Sequence, residues 1–185
     1  MKALNMVSSY ILLGHLSMFL FSILVSVSFV LGEKVSNEID PILISAFRVI
    51  IAAILVGLLF FLNKNTKIND LKKPYRFLLL GGMISTYFVL MFEGLKTADA
   101  ISMSVIFTLT PMMSGIFDFF LSGRKMSKML ILVVIVGAIG AIWIIFDGKL
   151  QNFLKLKVGF GEVVFIFGCV CHSLYAALIP KLNRG

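Results

Sequence analysis

Long apolar runs alternate with short polar links along the chain, and the runs set its architecture. Six are long enough to cross a bilayer, which takes about 20 apolar residues. They are Tyr10–Leu31, Pro41–Leu62, Tyr75–Leu95, Ala100–Leu121, Lys128–Phe146 and Gly159–Leu182. Backbone exposed to lipid has to bond its own N–H and C=O groups, so each run is expected to be a helix. The expected fold class is an all-α membrane protein, a polytopic helical bundle with six transmembrane helices. The link from Lys96 to Asp99 is a hairpin turn and makes the third and fourth helices antiparallel neighbours. Asn63–Pro74 reads as a solvated, lysine-rich linker.

Composition agrees with the pattern. The hydrophobic fraction is 59% and the charged fraction 14%, against roughly 45–50% and 25% in soluble domains. A net charge of +8 would suit a nucleic-acid partner if the cations shared one folded face. Instead they fall in the links, where they report topology. With the N-terminus inside, Lys2, Lys64, Lys67, Lys72, Lys73, Arg76, Arg124, Lys125, Lys128, Lys181 and Arg184 lie inside. Lys34, Lys96, Lys149, Lys155 and Lys157 lie outside. Eleven against five places both termini in the cytoplasm, with the chain in the cell membrane (the inner membrane of a bacterium). The first run is too long for a signal peptide, and no A-x-A site follows it. Cys169 and Cys171 sit within an apolar run and read as small helix residues, with no disulfide framework.

A weak internal similarity crosses the chain. Gly14, Ser26, Leu31 and Lys34 align with Gly161, Ser173, Leu178 and Lys181 at one offset of 147 residues. Five helices lie in that interval, so the sixth helix crosses opposite to the first, as in an inverted-topology repeat. The domains expected are one five-helix repeat over 10–147 and the incomplete start of a second over 159–185.

The candidate chemistry lies within the spans. Ser104, Thr108, Pro111, Gly115 and Asp118 recur at spacings of 4, 3, 4 and 3 and share one helical face. Pro111 has no N–H for the Phe107 carbonyl and crowds that turn, leaving an acceptor free. Arg48 lies seven residues past Pro41, about 10 Å along a helix. A charge at that depth calls for a partner. Glu93 and Glu162 are the two candidate counter-ions, and Arg48–Glu93 is expected as a structural ion pair. For Glu162 and for Asp118, near Arg124 and Lys125, the plainer reading is an interfacial carboxylate. His172 falls mid-span and suits either a hydrogen bond to a neighbouring helix or a proton or substrate contact. Gly137, Gly140 and Ala141 form a small-residue face expected to pack closely on another helix. H-E-x-x-H, G-x-S-x-G, Walker A and G-x-G-x-x-G motifs are absent, so no enzyme is expected and transport driven by this chain's own ATPase is excluded.

The stretches S-F-V-L-G-E-K-V from Ser28, D-P-I-L-I-S-A-F-R from Asp40 and F-E-G-L-K-T-A-D-A-I-S-M-S-V-I-F-T-L-T-P from Phe92, in this order and spacing, resemble EamA-type transporters of the drug/metabolite transporter superfamily. G-E-V-V-F-I-F from Gly161 resembles the opening of that family's second repeat. The resemblance implies a ten-helix carrier of two inverted repeats, moving small metabolites or drugs by alternating access. Arg48 matches the family's helix-two arginine and Pro111 its helix-four proline. Gly123 stands where the family commonly has glutamate. On this reading the chain is truncated after one repeat plus one helix. A second half or second subunit would supply four helices. Its other partners are the bilayer and an unidentified small molecule; no cofactor and no metal are expected. Ser22, Ser26, Thr86, Glu93, Thr108, Pro111 and His172 are the expected substrate-lining residues. The alternative is a non-transporting subunit acting through helix–helix assembly, or an inactive remnant.

A topology reporter fused after Asn152 should show activity on the outer face; activity in the cytoplasm would overturn the six-helix count or its direction.

Overall fold

Helix starts follow from local capping chemistry. Asp40 precedes Pro41, and its Oδ1 accepts from the Ile42 and Leu43 N–H groups at 2.9 and 3.2 Å. A carboxylate N-cap followed by proline at the first helical position is a favoured helix start. Asp99 Oδ1 likewise accepts from Ser102 N–H at 2.6 Å, and Ser127 Oγ from Leu130 N–H at 3.2 Å. The computed structural model describes residues 2–62, 74–146 and 159–182. It comprises α1 (Lys2–Val35), α2 (Pro41–Leu62), α3 (Tyr75–Gly94), α4 (Ala100–Phe107), α5 (Thr110–Ser122), α6 (Lys128–Ile145) and α7 (Phe160–Leu182).

Among the described residues five stretches are long and apolar enough to cross a membrane: Ile11–Val35, Pro41–Leu62, Tyr75–Gly94, Ala100–Ser122 and Phe160–Leu182. Lys128–Gly140 in α6 is a shorter apolar stretch. Among the described residues there is no strand, and the chain is a polytopic all-helical membrane bundle. One expected span differs in detail. The run from Ala100 to Leu121 is two helices, α4 and α5, separated at Thr108–Leu109. The charge assignments for Lys64, Lys67, Lys72, Lys73, Lys149, Lys155, Lys157 and Arg184 fall outside the described residues, as does most of the Asn63–Pro74 linker.

α3 and α7 form an antiparallel pair. Arg76 at the start of α3 donates to the Leu182 carbonyl at the end of α7 at 3.0 Å. At the opposite end Gly94 and Gly161 bring the two backbones together. A methyl group on Gly161 would meet the Gly94 carbonyl oxygen, with Thr97 Oγ1 at 2.6 Å and Ala98 Cβ at 2.9 Å. One on Gly94 would lie 2.8 Å from the Gly161 carbonyl oxygen. Lipid gives helices no hydrophobic reason to associate, so close approach at small residues is what van der Waals packing needs.

The hairpin Leu95–Asp99 completes this end of the bundle. Ser36 Oγ donates to the Leu95 carbonyl at 3.0 Å, and Glu33 Oε2 accepts from Ala100 N–H at 3.2 Å, which fastens the end of α1 beside it. α1 therefore runs toward the hairpin and α7 away from it. Beneath lies the core: Phe29 from α1, Tyr87, Met91 and Phe92 from α3, Met103 and Ile106 from α4, and Phe165 and Cys169 from α7. The Phe29 and Phe165 rings meet edge-on, 5.7 Å between centroids, a favoured aromatic geometry. Among the described side chains, most apolar ones of α1, α2 and α6 face outward, which costs nothing where the surrounding solvent is hydrocarbon. Among the described residues the expected close packing is not seen at Gly137 or Gly140, where a methyl group would meet nothing within 4 Å.

Gly161→Ala should lower stability by about 1–3 kcal/mol through overpacking against backbone. Gly14→Ala, where nothing lies within 4 Å, should be neutral or slightly stabilising. Thermal unfolding in detergent separates the two, and equal effects would remove the Gly94–Gly161 contact as the organising contact.

Candidate functional site

The fourth run breaks where its proline removes a donor. Pro111 cannot supply the N–H that would close the Phe107 carbonyl in a continuous helix. The chain answers locally. Thr108 and Leu109 N–H groups bond three residues back, to Val105 and Ile106 at 3.0 Å each, the tighter 3₁₀ pattern common at helix ends. Thr110 Oγ1 then donates to the Phe107 carbonyl at 2.7 Å. The acceptor expected to be free is thus capped by the side chain preceding the proline. From α7, Ser173 Oγ donates to the Thr110 carbonyl at 3.3 Å, which pins the break to the middle of the opposing helix.

His172 sits beside this break. Its ring lies 4.8 Å from Tyr87 and 5.2 Å from Phe107, centroid to centroid. Its buried Nδ1 has no hydrogen-bond partner among the described residues.

On the other side of the break a cavity of about 440 Å³ runs from Pro111 toward the ends of α5 and α7. Ser114, Gly115 and Asp118 of α5 form one wall, and Ala176, Ala177 and Pro180 of α7 face them. Arg124, Lys125, Met126 and Ser127 of the link between α5 and α6 border it as well. Arg124 Nε stands 3.7 Å from Asp118 Oδ2. Asp118 Oδ1 and Ser122 Oγ are buried without a partner among the described residues. One wall is thus largely polar and the facing one apolar.

The expected site residues are only partly assembled. Thr108 and Pro111 stand at the break, and His172 lies beside it against Phe107. Ser22 and Thr86 are exposed on α1 and α3, their hydroxyls turned back onto Met18 and Gly82 carbonyls at 3.0 and 2.9 Å. Ser26 is exposed on α1. The Arg48–Glu93 ion pair does not form. Glu93 Oε2 holds Lys96 Nζ at 2.8 Å, three residues along the chain. Glu162, the other candidate counter-ion, accepts from Ser102 Oγ at 3.2 Å. Arg48 instead donates to Ser28 Oγ at 3.3 Å and lies over the Phe88 and Phe92 rings, 4.4 and 5.4 Å from their centroids. Four functional neighbours escaped the sequence reading: Tyr87, Thr110, Met126 and Ser173. The Thr-Pro pair was a local signal for the first cap; the others depend on which faces meet.

The helical membrane bundle thus has one proline-broken span bordering an open cavity. The chain belongs to the EamA-like transporter family, which matches residues 12–146. It is 24% identical over 170 residues to a Bacillus subtilis (strain 168) protein named "Uncharacterized transporter YyaM", covering 89% of this chain and 56% of that protein. The chain thus spans little more than half the length of the curated relative it matches. No solved structure matches.

Thr110→Val leaves the Phe107 carbonyl without its hydroxyl donor and should cost about 1–3 kcal/mol, the penalty for a buried unpaired polar group. Thr110→Ser should retain most of the stability. Melting temperatures in detergent compare the two, and a neutral Thr110→Val would show that the break does not rely on this cap.

Proposed function

We propose that the protein acts as part of a secondary carrier that moves small metabolites or drugs across the cell membrane by alternating access. In this reading 10–147 is one inverted repeat and 159–185 opens a second. Four further helices, on the same polypeptide or a partner subunit, complete a ten-helix carrier. The opposed courses of α1 and α7, seen at the hairpin end, support that repeat. Both termini lie in the cytoplasm.

The observation that carries the proposal is the broken span opening onto the cavity. In lipid, irregular backbone is tolerated where it lines a cavity or is covered by protein, and transporters place substrates at such breaks. Thr108 and Pro111 line the site from the first repeat, and His172 from the start of the second. Ser22, Ser26, Thr86 and Glu93 contribute from faces that meet the helices of the other half. Solute movement relies on conformational change, with no covalent chemistry by this chain.

A second reading has one observation in its favour. The open small-residue face at Gly137 and Gly140 offers a seat for a partner helix, as a non-transporting assembly subunit requires.

Pro111→Ala in the full-length protein should impair uptake or efflux by restoring a continuous helix, while membrane insertion stays near normal. Solute flux in proteoliposomes, normalised to inserted protein, is the measurement; unchanged flux reduces the proline to a packing feature.

A further inference from the structure

One row of residues fastens α7 to the rest of the bundle. Gly161, Phe165, Cys169, Ser173 and Ala177, each four residues after the last, are five of the six buried residues of that helix. Rows at this spacing form the ridges by which helices pack. At the hairpin end Gly161 sets its backbone against Gly94 and Ala98. In the middle Phe165 and Cys169 enter the core with Tyr87, and Ser173 donates to the Thr110 carbonyl at the break. Beyond the row Lys181 donates to the Leu121 carbonyl at the end of α5.

The offset of 147 residues between Gly14 and Gly161 carries this row onto Gly14, Met18, Ser22, Ser26 and Val30 of α1. Glycine matches glycine, Met18 matches Phe165, and the two serines match Cys169 and Ser173. Val30 is the one larger residue, in place of Ala177. Lys34 falls at Lys181. The sixth buried residue of α7, Gly168, lies beside the row and has Phe21 in its place. The two rows differ in what covers them, since all five positions in α1 are exposed. A methyl group on Gly14 would meet nothing within 4 Å. Ser17 and Ser22 turn their hydroxyls back onto α1 carbonyls, whereas Ser26 Oγ has no hydrogen bond among the described residues. A hydroxyl facing hydrocarbon gains by finding an acceptor on another helix.

We infer that Gly14, Met18, Ser22, Ser26 and Val30 form a docking face for the third helix and broken fourth span of the carrier's second half. α1 then lies against those helices as α7 lies against α3 and α5. Gly14 makes the second backbone contact, and Ser26 donates to the carbonyl at the second break. The inference rests on the ten-helix reading and gives the second half its seat. Direction agrees with it: α1 and α7 run oppositely, so the face meets helices inverted relative to α3 and α5. A second copy of this chain does not fit, because its α3 and α5 already hold its own α7.

Nitroxide labels attached singly at Leu20→Cys, Ser22→Cys and Ser26→Cys read the contact. The sample is the full-length protein in lipid vesicles, with any subunit that copurifies, and Cys169→Ala and Cys171→Ala remove the native thiols. Leu20 is the control, because its counterpart Phe167 is exposed. Oxygen dissolved in the bilayer broadens the spectrum of a label that faces lipid. Labels at Ser22 and Ser26 should lose most of the oxygen effect seen at Leu20. Thiols there that stay unlabelled while Leu20→Cys reacts, with melting temperatures preserved, have the same meaning. Equal oxygen effects at all three positions would overturn the docking face and, with solute flux retained, leave the carrier reading standing. Shielded labels in a protein that moves no solute would uphold the face and remove the carrier reading. Magnetic coupling between labels on two molecules would put a second copy against α1 and overturn the inference.

Discussion

A backbone carbonyl that loses its partner within a membrane has no water to turn to, and the shape of this bundle follows from how its carbonyls are supplied. At the hairpin the Leu95 carbonyl takes the Ser36 hydroxyl. At the break the Phe107 and Thr110 carbonyls take Thr110 and Ser173 hydroxyls. At the far end the Leu121 and Leu182 carbonyls take Lys181 and Arg76. Four of these five bonds join different segments of the chain. Satisfying helix ends and fastening helices together are the same act here, which is why α7 is held along its whole length by α3 and α5.

Positions along each helix were legible in the sequence, and positions around it were not. Run length placed the helices, five of them candidate spans among the described residues against the six expected, and Pro111 marked the turn where the fourth run divides. The Arg48–Glu93 pair was argued from matching depth. Depth fixes one coordinate of a side chain, whereas contact also needs the helix to present the right face. Glu93 is satisfied by Lys96 at i+3, a spacing readable in the sequence. Arg48 faces α1 and the rings of α3. The hydroxyls of Ser22, Thr86 and Thr108, expected to line a site, each bond their own helix, as hydroxyls in lipid commonly do.

Arg48 also shows that an intramembrane cation does not require a carboxylate. Insertion of arginine at a helix centre costs about 2.5–3.5 kcal/mol. One desolvated ring face can return about 2 kcal/mol, and Arg48 lies over two, with a hydroxyl at its edge. The terms are of similar size, so the guanidinium can tie α1, α2 and α3 together without an acid. Glu33 and Glu162 are then available to bond the start of α4, through Ala100 and Ser102.

The two ends of the bundle are consequently unlike. At the hairpin end, glycines bring backbones into contact, and the buried rings of Phe29 and Phe165 pack beneath them. Motion there would have to separate close-packed atoms, so this end resists it. Beyond the break the α5–α7 contact opens into a cavity, bounded by a weak ion pair and one methionine. α5 nonetheless stays tied to α7 at both its ends, by Ser173 on the Thr110 carbonyl and by Lys181 on the Leu121 carbonyl, so the cavity is a gap between two fastenings.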